Sequence, residues 1–241
     1  AVNRTAVLMG KIHDRLAAGD DLVVLSEGSF GSRIVPDEIS WPKENPGATV
    51  AVAFMEEING TGKFHNSVEL LQANRSVFRY DKNRPVPILT TDVIPGDHPP
   101  SVVDVLFTPR NITDKEGQRT NVTLKVAAAI CFDFDFPDVL RHASDADLVV
   151  GPSNYWASIG WNLWSDNRYR AVENGLTLFK CSRNGISGAV DPLGRTLWQR
   201  PTVAGDTVAT QVPIQKGIPT IYADQTGYLF GWFCLLLFAP L

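Results

Sequence analysis

The alternation of apolar and polar positions predicts strands and helices in turn over most of the chain. Residues 3–19 carry Val7, Leu8, Ile12 and Leu16 at helical spacing, and they predict a first helix. Short apolar runs between turn-forming residues predict strands. The predicted strands lie at 22–26, 49–55, 66–71, 76–80, 101–107, 121–130, 147–151, 176–181, 188–191 and 206–212, and two further helices at 137–143 and 161–174. This order, with added hairpins, predicts one layered α/β or α+β domain.

The C-terminal run differs from the rest of the chain. Residues 228–241 contain no charged side chain, and Tyr228, Phe230 and Trp232 suit a membrane interface. A spanning helix needs about 20 apolar residues, so we interpret this run as the start of a transmembrane segment that follows a domain at 1–227. A buried terminal helix or strand is the alternative. We recognise no signal peptide at the start, and we expect the chain to be a piece of a longer membrane protein.

Composition narrows the range of functions. The net charge of −4 gives no indication of a nucleic-acid partner. The three cysteines, Cys131, Cys181 and Cys234, are too few and too scattered for a disulfide framework or a zinc site. The sequence also lacks the motifs of phosphate-binding loops, dinucleotide-binding folds and zinc proteases. We therefore predict no metal and no cofactor.

Five Asn-x-Ser/Thr sequences lie in the first half of the chain. They would accept N-linked glycans if the chain enters a eukaryotic secretory pathway. The candidate positions are Asn3, Asn59, Asn74, Asn111 and Asn121.

Three residues are candidates for chemistry, although each has an ordinary explanation on its own. Cys131 ends the apolar run 126–130 and could be a small buried hydrophobe. Glu27 follows the strand 22–26 and could be a surface turn residue. Lys82 could be a solvated charge. Taken singly, none of them indicates a reaction.

Taken together, the three resemble the nitrilase (carbon–nitrogen hydrolase) superfamily. The blocks 22–27 and 130–133 resemble the segments that present its glutamate and its cysteine, and Tyr80–Pro87 resembles its lysine block. Downstream blocks resemble one branch, the apolipoprotein N-acyltransferases, which are polytopic membrane enzymes with a nitrilase domain outside the cytoplasm. These blocks lie at 151–156, 170–175, 183–187 and 191–195.

The resemblance covers about residues 20–230 and implies an α+β fold, the four-layer α-β-β-α sandwich of nitrilases. It also implies a eukaryotic membrane-attached homologue whose catalytic domain faces the extracellular or lumenal side. In this scheme Cys131 is the nucleophile, Glu27 the base and Lys82 the cation that neutralises the oxyanion. Phe132, with its backbone N–H, and Asp133 would form or support the oxyanion site.

Three functions follow from this resemblance. The leading one is transfer of an acyl chain from a phospholipid to an amine, through a thioester on Cys131. The second is a secreted or anchored amidase that hydrolyses a small amide with water as acceptor. The third is a degenerate homologue that only binds a lipid or a partner.

The third function is motivated by departures from the family pattern. Thr90 stands where the family often has a second glutamate, and Asp92 is the nearest acid. Asp133 stands where the transferase branch tends to have glutamate. In addition, no helix is predicted after Glu27, between residues 28 and 46.

Overall fold

The computed structural model describes residues 3–73, 75–87, 89–155 and 159–223. The described helices are α1 (Arg4–Ala18), α2 (Pro137–Arg141) and α3 (Gly160–Asn174). Short 3₁₀ turns lie at Pro36–Glu38 and Cys131–Asp135. The strands are β1 (Leu22–Val24), β2 (Thr49–Glu57), β3 (Phe64–Gln72), β4 (Arg75–Asp81), β5 (Val103–Phe107), β6 (Val122–Ala128), β7 (Leu148–Ser153), β8 (Thr177–Ser182), β9 (Gly185–Val190) and β10 (Thr196–Thr202).

The strands form two mixed sheets. The first has the order β1-β2-β3-β4, with β1 and β2 parallel and the other pairs antiparallel. The second has the order β10-β9-β8-β7-β6-β5. Its central strands β6, β7 and β8 are parallel, and antiparallel strands complete both edges.

Three hydrophobic clusters separate four layers. Ile12 and Leu16 of α1 pack with Val50 and Val52 on one face of the first sheet. The opposite face packs on the second sheet through a cluster that includes Ala51, Leu70, Val126 and Val150. The outer face of the second sheet packs on α2 and α3 through a cluster that includes Val149, Leu140, Trp164 and Ala171. The period-2 alternation of side chains therefore gives each sheet two buried faces, and the layer order is α-β-β-α.

The first helix has clear sequence signals at both ends. The Asn3 side chain accepts hydrogen bonds from the backbone of Thr5 and Ala6, so it caps the helix N-terminus. Gly19 ends the helix in the left-handed conformation, with φ of 83°. These residues explain why the predicted helix at 3–19 agrees with α1.

The strand predicted at 206–212 is wrong. These residues are exposed or half-buried and belong to no strand. The edge position beside β9 is taken instead by β10, which the sequence analysis missed. Pro201 and the charged Arg200 made this segment resemble a loop, although an edge strand tolerates a proline.

The segment after Glu27 forms no helix longer than the 3₁₀ turn Pro36–Glu38. It nevertheless covers the first sheet, since Phe30, Ile34 and Ile39 are buried against it. The predicted membrane segment at 228–241 lies outside the described residues. Within the described ranges, no helix is long and apolar enough to cross a membrane.

Candidate active site

Cys131 lies at a sharp turn directly after the buried end of β6. Its φ is +50°, and in the described part of the chain only Asn59 shares a positive φ among non-glycine residues. Such a conformation is strained for a residue with a Cβ, and strain of this kind clusters at functional sites. Cys131 is only 4% exposed, and its thiol donates to the carbonyl oxygen of Asn154 at 3.7 Å.

Asp133 holds this turn from the inside. It is fully buried, and its Oδ2 accepts from the backbone N–H of Ile130 at 3.0 Å and from the Tyr80 hydroxyl at 2.9 Å. Its Oδ1 accepts from the backbone N–H of Arg84 at 2.8 Å. Burial raises the pKa of Asp133, while these hydrogen bonds act in the opposite direction. The carboxylate therefore ties the cysteine turn of the second sheet to the end of β4 in the first.

Glu27 and Lys82 form a buried ion pair. Glu27 follows β1, Lys82 follows β4, and Lys82 Nζ lies 2.6 Å from Glu27 Oε1. The side chains are 12% and 2% exposed, respectively. The Asn66 side chain on β3 donates to the same carboxylate oxygen at 2.8 Å. The strand ends of the first sheet thus bring together the two charged residues that the sequence analysis singled out.

The charges of Glu27 and Lys82 affect the pKa of the Cys131 thiol. Burial, followed by the charge of Glu27, raises the pKa of the Cys131 thiol to about 12, and the charge of Lys82 opposes this. Burial would lower the pKa of Lys82, but the Glu27 carboxylate and Cys131 raise it above its ordinary value. At neutral pH the resting site therefore holds a protonated thiol and an ammonium group. A thiol in this state needs a base in order to attack a carbonyl.

The other predicted positions are placed as follows. Phe132 is half-buried, and its ring contacts that of Phe136 edge to face at 5.1 Å between centroids. The Thr90 hydroxyl donates to the Val86 carbonyl at 2.9 Å, and Asp92 is exposed. Among the described residues, neither Thr90 nor Asp92 supplies a second carboxylate to the Glu27–Lys82 pair.

The sequence analysis missed a second buried polar group at this site. Lys180 on β8 is buried and donates to the Tyr155 hydroxyl and to Asn167 Oδ1. The Tyr155 hydroxyl in turn donates to the backbone carbonyl of Cys131 at 3.3 Å. The only available signal was a lysine within the apolar run 176–181. By contrast, Cys181 is half-buried, and desolvation alone raises the pKa of its thiol to about 12.

The proposed glycan acceptors that the structure describes are surface residues. Asn3, Asn59, Asn111 and Asn121 are exposed, and Asn74 lies outside the described residues. Their glycosylation stays a prediction. No cluster of three or more potential metal ligands occurs within the described ranges.

Comparison with known proteins decides the family. The model of the carbon–nitrogen hydrolase family matches residues 44–222. The chain belongs to the carbon–nitrogen hydrolase family. An apolipoprotein N-acyltransferase of Rickettsia typhi is 29% identical across 90% of the chain and 46% of the relative. One of Gloeobacter violaceus is 42% identical, but over only 33% of the chain and 16% of the relative.

These curated relatives are longer than this chain, which spans about half the length of the rickettsial ones. They are bacterial, and the expectation of a eukaryotic source stays a prediction. Among solved structures, an amidase from Nesterenkonia sp. has a TM-score of 0.63 at 18% identity, over 95% of this chain and 89% of the amidase. This likeness confirms the nitrilase-like α+β fold of the carbon–nitrogen hydrolase family.

Proposed function

We propose that this domain transfers acyl groups through a thioester on Cys131, with Glu27 as general base and Lys82 as the cation that stabilises the oxyanion. The observation that carries the proposal is the buried Glu27–Lys82 ion pair, whose charges act on a strained, buried cysteine. No two of these residues are close in sequence. Chance burial of a base, a cation and a thiol together would be costly, because buried charges are tolerated only with partners.

The first half-reaction begins at the thiol. Glu27 takes the proton from Cys131 as the sulfur attacks the carbonyl carbon of the acyl donor. The carbonyl oxygen becomes an oxyanion, which Lys82 and the backbone N–H of Phe132 stabilise. When the bond to the leaving group breaks, Glu27 returns the proton to it. For an ester donor the products are an alcohol and the acyl-thioester of Cys131.

The second half-reaction regenerates the enzyme. An amine attacks the thioester carbon while Glu27 accepts one of its protons. The carbon–sulfur bond then breaks, and the thiolate of Cys131 takes the proton back from Glu27. The product is an amide, and atoms, charge and protons balance over the cycle. An acceptor amine competes well with water only where the site excludes water, and the low exposure of Cys131 suits that requirement.

Transfer from a lipid to an amine is favoured because curated relatives that match most of this chain are named apolipoprotein N-acyltransferase. The proposal includes membrane attachment through residues 228–241 and a catalytic domain on the extracellular or lumenal side. Glycans on the exposed asparagines would agree with that side. The acyl donor is then a phospholipid and the acceptor is an amine of a protein or peptide.

Hydrolysis of a small amide is the second candidate. The solved structures of similar fold are amidases, and one of them carries the acetamide moiety of fluoroacetamide on its active-site cysteine. As in the transferase, an acyl-thioester would form on Cys131. Water rather than an amine would then release the acyl group. The two candidates therefore share the first half-reaction and differ in the size of the donor and in the acceptor.

Thioester trapping distinguishes these candidates. The full-length protein is incubated in vesicles whose phospholipid acyl chains carry an isotope label, and the peptide that contains Cys131 is analysed by mass spectrometry. We expect a long-chain acyl adduct that hydroxylamine removes. Cys131→Ala serves as the negative control, and Cys181→Ala, at a half-buried cysteine outside the proposed site, serves as the second control.

Each other result has a defined meaning. A small acyl adduct from acetamide, with none from phospholipid, would support the amidase and refute the transferase. Absence of any adduct on a protein whose Cys131 reacts with iodoacetamide would refute acyl transfer and favour the degenerate binding homologue, which Thr90 first suggested.

A further inference from the structure

The polar group around Lys180 has no part in the reaction described above. Lys180 Nζ lies within the second sheet layer, 5.2 Å from the centroid of the Phe134 ring and 4.2 Å from that of Tyr155. Burying an ammonium group is costly unless it is paired. Its hydrogen-bond acceptors here are the Tyr155 hydroxyl and the Asn167 side-chain oxygen, both neutral. Burial of the Lys180 ammonium group with neutral acceptors is not explained by a gain in stability, and this suggests a functional role.

The connection from Lys180 leads to the nucleophile. The Tyr155 hydroxyl has a single hydrogen, and both the Cys131 carbonyl and Asn167 Oδ1 can accept it at 3.3 Å. Because Lys180 donates both to Asn167 Oδ1 and to the Tyr155 oxygen, it directs that hydrogen to the Cys131 carbonyl. Without Lys180, the hydroxyl could turn to Asn167 instead.

We propose that Lys180 is a positioning residue for Cys131, which acts through the Tyr155 hydroxyl to hold the main chain of the nucleophile in its strained, left-handed conformation. The inference deepens the proposed function, since it concerns the same cysteine. The strain at Cys131, with φ of +50°, requires a restraint on each side of the residue. Asp133 restrains the N–H of Ile130 before it, and Tyr155 restrains the carbonyl of Cys131 itself.

The charge of Lys180 adds a pH dependence. Burial lowers the pKa of Lys180 to about 7, against the opposing charges of Cys131, Asp135 and Glu27. Tyr155 stays neutral there, because burial raises its pKa well above the usual value. Below pH 7 Lys180 is charged and donates a stronger hydrogen bond to the Tyr155 oxygen; above pH 7 this support is lost.

Alkylation of Cys131 tests the proposal without any acyl substrate. The rate of carbamidomethylation by iodoacetamide is measured from pH 6 to pH 9 for the full-length protein, with mass spectrometry of the peptide that contains Cys131. The variants are Lys180→Met, Tyr155→Phe and the double variant. Lys216→Met, which removes a lysine that is 73% exposed, is the matched control. Thermal denaturation of each variant confirms folding.

We expect Lys180→Met to slow alkylation roughly tenfold at pH 6.5, which corresponds to about one unit in thiol pKa. The ratio of the wild-type rate to the Lys180→Met rate should fall as the pH rises above 7. The double variant should be no slower than Tyr155→Phe, because Lys180 acts through that hydroxyl.

Two results would overturn the proposal. The first is a Lys180→Met rate that matches the wild type at every pH, since a merely structural lysine would change only the melting temperature. The second is a double variant whose losses multiply, since Lys180 would then act independently of Tyr155. Should Lys180→Met fail to fold, Tyr155→Phe still decides: an unchanged rate would refute the restraint. Alkylation needs no acyl group, so these results are independent of thioester trapping.

Discussion

Replacing Asp133 should destabilise the protein more than any exposed carboxylate of the same region. The buried carboxylate accepts three hydrogen bonds, from the Tyr80 hydroxyl and from the backbone N–H groups of Ile130 and Arg84. Asp133→Ala removes all three acceptor contacts. Two of the donors are buried, while the bond from Arg84 is only partly buried, so water can replace the acceptor there.

The magnitude follows from those two donors. An unsatisfied buried donor costs about 1–3 kcal/mol, so the two together should cost roughly 2–6 kcal/mol of unfolding free energy in Asp133→Ala. Relief from burying a carboxylate offsets part of this, and it places the result in the lower half of that range. Asp133→Asn keeps one acceptor oxygen for Ile130 and Tyr80, so it should cost about 1–2 kcal/mol. Tyr80→Phe loses one hydroxyl and should cost about 1 kcal/mol.

Urea denaturation monitored by tryptophan fluorescence measures these differences. Asp138→Ala is the control, because its carboxylate is 61% exposed and pairs with Arg84 on the surface. Such a pair contributes about 0–1 kcal/mol. The reasoning would be refuted if Asp133→Asn were as destabilising as Asp133→Ala, or if both matched Asp138→Ala. Either result would mean that the three hydrogen bonds do not restrain the cysteine turn.

Three further predictions concern other parts of the fold. Gly175→Ala should lower the melting temperature much more than Gly62→Ala. Both glycines have a positive φ, but a Cβ at Gly175 would lie 1.8 Å from the backbone oxygen of Ile218, whereas a Cβ at Gly62 would contact nothing. Burial would raise the pKa of Asp147, but hydrogen bonds from Lys125, Gly217 and Lys216 outweigh it and lower the pKa. The stability that the carboxylate contributes is therefore complete above about pH 4 and is lost as the pH falls further. In urea denaturation at a series of pH values, Asp147→Asn should lose less unfolding free energy on acidification than the wild type does. Because the pKa of Lys180 is lowered to about 7, the unfolded chain binds a proton between pH 7 and pH 10 that the folded chain has lost. The unfolding free energy of the wild type should therefore rise over this range relative to that of Lys180→Met. Equal slopes of unfolding free energy against pH for the two proteins would contradict this.

The apolar pattern predicted the interior strands well for a physical reason. The strands at the centre of the second sheet are buried on both faces, so β6 and β7 appear as continuous apolar runs. An edge strand carries no such pattern, and β10 was missed because Arg200 and Pro201 resemble a loop. The segment 206–212 contains Thr and Val residues that favour strands, but it forms none, since local preference alone supplies no neighbouring strand with which to pair.

The candidate site was predictable only where residues form local motifs. Glu27, Lys82 and Cys131 each stand within a short block that resembles the family, and the fold brings the first two into contact. Lys180, Asn167 and Tyr155 come from β8, α3 and the segment after β7. Their contact depends on strand register and on the docking of a helix, which no local spacing encodes. Asn66 was missed for the same reason.

Because the site lies between the two sheets, some of its residues contribute both to catalysis and to the packing of the sheets, while others do not. The first sheet supplies Glu27 and Lys82, the second supplies Cys131, and Tyr80 and Tyr155 belong to the hydrophobic cluster that joins them. A change at Tyr80 therefore alters both the sheet interface and the restraint on the cysteine turn, so its effects on activity and stability cannot be separated. Lys180 lies outside that cluster, and removing its buried charge need not weaken the core. The Lys180→Met variant therefore tests the restraint on Cys131 without replacing a residue of the cluster that joins the two sheets.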